Sequence, residues 1–497
     1  NHDQYGGSNT MSNLSELIGG GGGGGGKTAD FVASGTIPNG VAVAVNSNGT
    51  ISEINPDGFP PTAGTASVFE SSSVSSISSC YVADNKLMVV YQDNGNNGYI
   101  TAALGTISGK TITFDTPRIV VSSAGTGPTA AIYYAATDRV IAVYQYSDGY
   151  NKIVGCKQSL SGTLLFGTQF SIASNGYNLN FDSIFGSYDP SASRAVVTYY
   201  WAYPYYTQYV EVIEINGNTI STGTNYPLGT QSGGDIAHDL TYDSVNSRTI
   251  ISYYNGGIRM RAMNISSNKS ISFGSEYNPS ISGYTPKLIY DTAASRIVMH
   301  YQETTTPYNV YLIPFAFNGS TFTKGTAVST GLQNVAFAYD STANKIGIFG
   351  SDAEGQSYPY QAKFKVASLS GSTITVSTIE TSIGTSSGSD QKSIVYSPTS
   401  EVFLLNYKDN STNFGNSIAI DSGASNNIDF IGVSAEAISN LATGVVTLRG
   451  GVSENLSSLT TNATYYVQTD GTISASISNQ KAGKALSSST LLLVGQT

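Results

Sequence analysis

Four stretches of this chain decide how it is read: Tyr188-Asp-Pro-Ser-Ala-Ser-Arg194-Ala-Val-Val-Thr-Tyr199, Tyr242-Asp-Ser-Val-Asn-Ser-Arg248-Thr-Ile-Ile-Ser-Tyr253, Tyr290-Asp-Thr-Ala-Ala-Ser-Arg296-Ile-Val-Met-His-Tyr301 and Tyr339-Asp-Ser-Thr-Ala-Asn-Lys345-Ile-Gly-Ile-Phe349. Each is a strand ending in Tyr-Asp, a short polar turn, and a second strand opened by a basic residue. Shorter versions occur at Asp84–Tyr91 and Thr137–Tyr144, and a last one at Tyr396–Tyr407, where Glu401 stands in place of the basic residue. The anchors 86, 139, 194, 248, 296, 345 and 401 are spaced by 53, 55, 54, 48, 49 and 56 residues. Seven units of about 50 residues mark a repeat fold whose neighbours bury one another's apolar faces. Alternating strands and the turns at Ser108-Gly109, Ser161-Gly162, Asn216-Gly217, Asn318-Gly319 and Ser370-Gly371 predict four antiparallel strands per unit. The expected fold is an all-β, seven-bladed β-propeller of four-stranded blades. The orphan strand Ala66–Ser71 is expected to complete the last blade and close the ring, leaving no free sheet edge.

Composition agrees with an all-β surface protein. Of 497 residues, 40% are hydrophobic but only 11% charged, against about 25% in ordinary domains. The surface must therefore be wetted by Ser, Thr, Asn and the hydroxyls of 34 tyrosines. The net charge is −10 with no basic stripe, which argues against nucleic-acid binding. No apolar run approaches the roughly 20 residues of a membrane-spanning helix. No basic segment followed by an apolar stretch opens the chain, as a secretory leader would. A secreted-looking surface without a leader fits assembly inside a cell and release in a particle. Cys80 and Cys156, at unlike positions of neighbouring repeats, are expected to be buried thiols.

The flanks fall outside the repeat. Met11 reads as a natural start, and residues 1–30 as a flexible tail whose Gly19–Gly26 run is a tether. Gly21-x-x-x-x-Gly26-Lys27-Thr28 matches the phosphate-loop pattern, but a poly-glycine tract satisfies it by composition. The motif needs a strand before it and a helix after it, and here a strand-like sequence follows. Residues 31–65 read as a β-hairpin segment, 66–425 as the propeller and 426–497 as a C-terminal β-module. The hairpin is expected to pack on that module.

The two ends carry a resemblance. Asn13–Ile18, the glycine run and Lys27–Gly40 resemble a family of virion structural proteins of tailed marine phages. Phe430–Ile438, Ala442–Gly451, Tyr465–Thr472 and Ala482–Leu486 resemble the ends of phage tail-fibre proteins. The resemblance implies a particle component of cyanophage-like viruses, located on the virion, and brings no catalytic residues with it. The implied partners are other virion proteins and a host cell-surface glycan or protein, without nucleic acid or membrane insertion.

Candidate chemistry lies in the tips between second and third strands, rich in Asp, Asn, Gly and Tyr. The densest is Tyr199–Tyr209, which holds the sole tryptophan. Aromatic faces stack on sugar C–H surfaces, and phenols bond sugar hydroxyls at low ordering cost. The candidate ligand-binding residues are therefore Tyr200, Trp201, Tyr203, Tyr205, Tyr206, Tyr150, Tyr308, Tyr358 and Tyr360. Asp93, Asp148, Glu303, Asp352, Glu354 and Asp409 also fall at tips, but a glycosidase needs two carboxylates about 5–10 Å apart, and spacing places no such pair. His2, His238 and His300 have neither metal nor triad spacing. No catalytic residue, metal or cofactor is expected. Asp189, Asp243, Asp291 and Asp340 are expected to cap their turns, with the basic anchors pairing weakly to them. The expected function is host adsorption. A structural or decoration protein, a glycan depolymerase and a secreted lectin-like adhesin are the alternatives.

Overall fold

The Tyr-Asp repeat is the first turn of a four-stranded antiparallel meander. In the third meander, Asp189 Oδ1 accepts hydrogen bonds from Ala192 N at 2.9 Å and Ser191 Oγ at 2.6 Å. Asp243, Asp291 and Asp340 cap their turns in the same way. A left-handed residue then turns the chain into the second strand: Asn85, Asp138, Ser193, Ser247, Ser295, Asn344 and Glu401 all have φ between 51° and 57°. Asn and Asp tolerate this region best among residues with a Cβ.

That geometry corrects two expectations. Ser397 pairs with Val402 as Val82 pairs with Lys86, so Val402 is the counterpart of the basic anchors and Glu401 belongs to the turn. The basic residues also form no direct ion pair with the turn aspartates among the described residues; the expected weak pairing is limited to the electrostatic pull of Arg296 on Asp291. Arg194, Arg248 and Arg296 instead donate to turn carbonyls, for example Arg296 Nη1 to Ser295 O at 3.0 Å.

The computed structural model describes residues 27–46, 49–54, 61–147, 152–175, 181–201, 207–230, 238–304, 308–352, 360–386, 392–423, 430–468, 471–476 and 480–494. The chain divides into two compact units: residues 60–424, and residues 1–59 together with 425–497.

In the larger unit, the first eight-stranded sheet holds two meanders that share the long strand Arg118–Tyr134. Its first half pairs with Tyr99–Ser108, and its second half with Arg139–Ser147. Five further sheets begin at Phe181, Asp239, Gly283, Gln333 and Lys392. In the last of these, Ser67–Glu70 supplies the outer strand, with Val68 opposite Asn416 and Ser67 opposite Ser417. Pairing begins before Ser67: Ala63 bridges Ile420, and Asp421 accepts bonds from Thr62 N and Thr62 Oγ1, both at 2.7 Å. Lys110 closes the same corner by an ion pair to Asp421.

The core lies between sheets rather than in one mass. Val90, Ile100 and Leu104 of the first meander meet Val140 and Ala142 of the second. Each later meander packs on its successor in the same manner. The last packs on the first, where Phe69, Leu404 and Ala419 meet Leu87, Val89 and Tyr91. Asn406 Nδ2 donates to Ser79 Oγ at 3.0 Å across that junction, and Tyr81 OH lies 3.0 Å from Thr399 Oγ1. Cys80 and Cys156 are buried in separate clusters as free thiols.

The smaller unit joins sequence from both ends of the chain. One sheet has the order Thr28–Val32, Thr443–Leu448, Phe430–Ser434, Ala42–Val45, Ile51–Glu53. Ala33 bridges Ile51 in parallel, so the sheet curls until its ends meet around Phe31, Ile37, Val43, Ile438 and Val446. Its other face, with Ala42, Ala44, Phe430 and Val433, packs on a second sheet through Tyr465, Val467, Leu491 and Leu493.

Candidate ligand-binding face

In an antiparallel meander, the connections between first and second strands lie at one end and those between second and third at the other. The two ends are built differently. At the first end, some of the tyrosines before the turns reach the neighbouring meander. Tyr339 OH accepts from Ala293 N at 3.2 Å, and Tyr290 lies beside Asp243, where burial and then that carboxylate push its phenol up to about 12. Thr249 Oγ1 donates to Asp189 Oδ2 at 2.7 Å, again between neighbours.

At the other end, the tip carboxylates accept bonds from their own turns and from neighbouring segments. Asp93 Oδ1 accepts from Ser72 Oγ at 2.6 Å and from Gly95 N at 3.1 Å. Asp409 Oδ1 accepts from Ser411 N and Oγ, both at 2.8 Å, and from Thr385 Oγ1 at 3.1 Å. Both carboxylates are thus turn-forming groups. Tyr308, half-buried with φ 58°, is fixed by Gln302 Nε2 on its carbonyl at 3.2 Å and by the Asn309–Glu303 contact at 3.4 Å.

The structure places the remaining candidates unevenly. Tyr200 is only 2% exposed, so its ring is core and not a ligand surface, a correction that follows from its position inside the strand Arg194–Trp201. Trp201 is the last residue of that strand and pairs with Thr207 and Phe181. Tyr360 opens the strand Tyr360–Ser370 opposite Ser386. Tyr150, Tyr203, Tyr205, Tyr206 and Tyr358 lie outside the described residues, as do His2, Asp148 and Glu354.

Sequence reading missed a polar set among the first strands of meanders three to five. The Lys287 ammonium sits 2.9 Å from the centroid of the Phe185 ring. Buried His238 meets Ser183 Oγ through Nε2 at 2.8 Å, and Asp239 Oδ2 accepts from Leu288 N at 2.8 Å. Burial and then Lys287 hold His238 well below the usual imidazole range and lower His300 to about 3. Both rings are therefore neutral near pH 7. His300 packs edge-on against Phe337, in keeping with its mid-strand place. Lys392, buried beside Phe349, is lowered by burial to about 7, and Glu211 is raised by burial to about 7. No signal in one sequence marks such residues, because most of their partners lie on other meanders. No cluster of metal-ligating side chains occurs among the described residues.

These features define an all-β, propeller-like protein. No protein-family model matches the chain, and no curated protein matches it. The crystal structure of the BP39L lectin from Burkholderia pseudomallei is similar in fold, with a TM-score of 0.51 at 11% identity over 72% of this chain and 98% of that one. A Dyadobacter fermentans protein of unknown function aligns over the same shares at 11% identity with a TM-score of 0.41. At such identity the likeness is one of fold.

Proposed function

We propose that this chain is a surface component of a tailed-phage virion, used in host adsorption. In this reading, residues 60–424 form a closed seven-bladed propeller whose second-to-third-strand tips bind a cell-surface glycan or protein. Closure is supported by the outer strand Ser67–Glu70 and by the packing of the last meander on the first. The virion assignment is supported by the resemblance of the chain ends, and glycan binding accords with the lectin neighbour's fold.

The observation that carries the binding reading is the concentration of Tyr, Asn and Asp between the second and third strands of the repeats. Between the first and second strands, some tyrosines and aspartates bond to the neighbouring meander, as Tyr339 does with Ala293 and Asp189 with Thr249. Between the second and third strands, the sequence is rich in Tyr, Asn and Asp. Asp93 and Asp409 there are turn-forming groups, which favours binding over hydrolysis.

The test incubates purified protein, and a Trp201→Ala plus Tyr205→Ala variant, with host cells and extracted surface polysaccharide. Saturable binding that the double variant loses, without sugar release, is the expected result. Released sugar would place the protein among depolymerases. Absence of any binding would leave a structural virion role as the better account.

A further inference from the structure

The residue opposite the basic anchor varies from meander to meander: Thr106 faces Lys86, Leu160 faces Arg139 and Ser368 faces Lys345. In the third meander Ala195 pairs with Ile213, which sets Arg194 opposite Glu214, and the two form an ion pair at 2.6 Å. Lys269, from the last turn of the fourth meander, reaches back to the same Glu214 at 3.2 Å and to Ser221 Oγ at 3.1 Å. The junction between meanders three and four is thus filled by a carboxylate and the cations around it.

One junction further on, the same frame lacks both parts. Thr249 pairs with Met263, which sets Arg248 opposite Asn264, an amide where the carboxylate would be. The turn that would send in a lysine is Asn318-Gly319-Ser320, held by Asn318 Oδ1 and carrying no long side chain. The Arg248 guanidinium donates to Ser247 O at 2.9 Å, and no carboxylate pairs with it among the described residues. In place of the missing groups there is a cavity of about 180 Å³. Phe317 and Phe322, whose stacked ring centroids are 4.5 Å apart, line it. Arg248, Asn264 and Ser272 also line it.

We propose that this cavity between the fourth and fifth meanders binds a single sugar residue carrying an anionic substituent, a carboxylate or a sulfate. The anion takes the place that Glu214 fills one junction earlier, against Arg248. The sugar ring packs beside Phe317 and Phe322, and its hydroxyls reach the Asn264 and Ser272 side chains. The volume corresponds to roughly six waters, which suits one pyranose ring and excludes an oligosaccharide buried end to end. This site is separate from the Tyr-rich tips and does not depend on their role.

The test is saturation-transfer NMR on the full chain with methyl glucuronide, galactose 6-sulfate, methyl galactoside and sodium sulfate. Both anionic sugars are expected to bind in the millimolar range, and the neutral one at least tenfold more weakly. Arg248→Gln is expected to weaken the anionic sugars at least tenfold. Asn264→Glu rebuilds the internal ion pair and is expected to abolish binding without loss of thermal stability, so a folding defect cannot mimic the result. The Trp201→Ala plus Tyr205→Ala variant is expected to bind these probes unchanged. Binding of neutral and anionic sugars alike, inorganic sulfate binding as tightly as the sugars, undiminished binding by Asn264→Glu, or no binding by the unaltered chain would each overturn the proposal.

Discussion

Replacing Phe69 by alanine tests whether the strand Ser67–Glu70 holds the last meander to the first. Phe69 is 2% exposed, with ring centroids 5.1 Å from Tyr91 and 5.8 Å from Phe114. Its ring lies on the backbone of Gly415, where a Cβ would come within 2.3 Å of it. A buried phenylalanine removes about 150–250 Å² from water, worth about 4–6 kcal/mol at about 25 cal/mol per Å². Residual compaction of the unfolded chain trims this by roughly 10–40%, which leaves about 3–5 kcal/mol, the range found for phenylalanine truncation in cores. The neighbouring Val68 is 49% exposed, so Val68→Ala should change stability by less than about 0.5 kcal/mol. Urea unfolding followed by near-ultraviolet circular dichroism, which reports the packed tyrosines, measures both. A loss below about 1 kcal/mol for Phe69→Ala, or equal losses for the two variants, would refute the idea that this strand closes the structure.

Other outcomes follow from charge and backbone geometry. Lys392 is held near 7 by burial against an ordinary value of 10.5, so the unfolded chain binds the extra proton between those values and stability rises with pH across that window. Lys392→Met should stabilise the protein at pH 7, with the gain shrinking by pH 10, as urea midpoints will show. His300, lowered from 6.5 to about 3, is neutral when folded, so its contribution to stability is lost as pH falls through that interval. His300→Phe should flatten the difference in unfolding midpoint between pH 6.5 and pH 4, and an unchanged slope would count against a buried neutral imidazole. Glu401 has φ 53°, a region in which a Cβ costs about 1 kcal/mol or more, so Glu401→Gly should raise the melting temperature where the same change at a right-handed position lowers it. Burial raises both thiols, Cys156 to about 12, so Cys80 and Cys156 should resist a thiol reagent in the native protein and react fully in urea.

Much of the architecture was legible before any coordinates. The Tyr-Asp turn, the β-branched strand after it and the Gly turn before the outer strand are local features, each within a dozen residues, and local sequence governs turn chemistry and strand alternation. Their recurrence gave the meander count, and the orphan strand Ala66–Ser71 was visible because it resembled an outer strand without a partner. The turn aspartates could be named as caps for the same reason.

What the sequence could not settle depends on which residue stands opposite which. The last basic anchor was misplaced onto Glu401 because a one-residue offset in register is invisible until Ser397 is seen to pair with Val402. Tyr200 looked like part of an aromatic tip, yet strand pairing to Gln208 places it in the core. The joining of residues 28–53 with 430–448 in one sheet spans almost the whole chain. So too with Arg194 and Arg248: identical in their local repeats, they differ only in what tertiary structure brings across, Glu214 and Lys269 for one, Asn264 and Gly319 for the other. The sequence by itself determined the strands, turns and repeat, because these rest on short-range sterics and hydrogen bonding. Tertiary structure alone decided which side chains are buried, neutral or without a counter-charge, because electrostatic energy depends on neighbours in space.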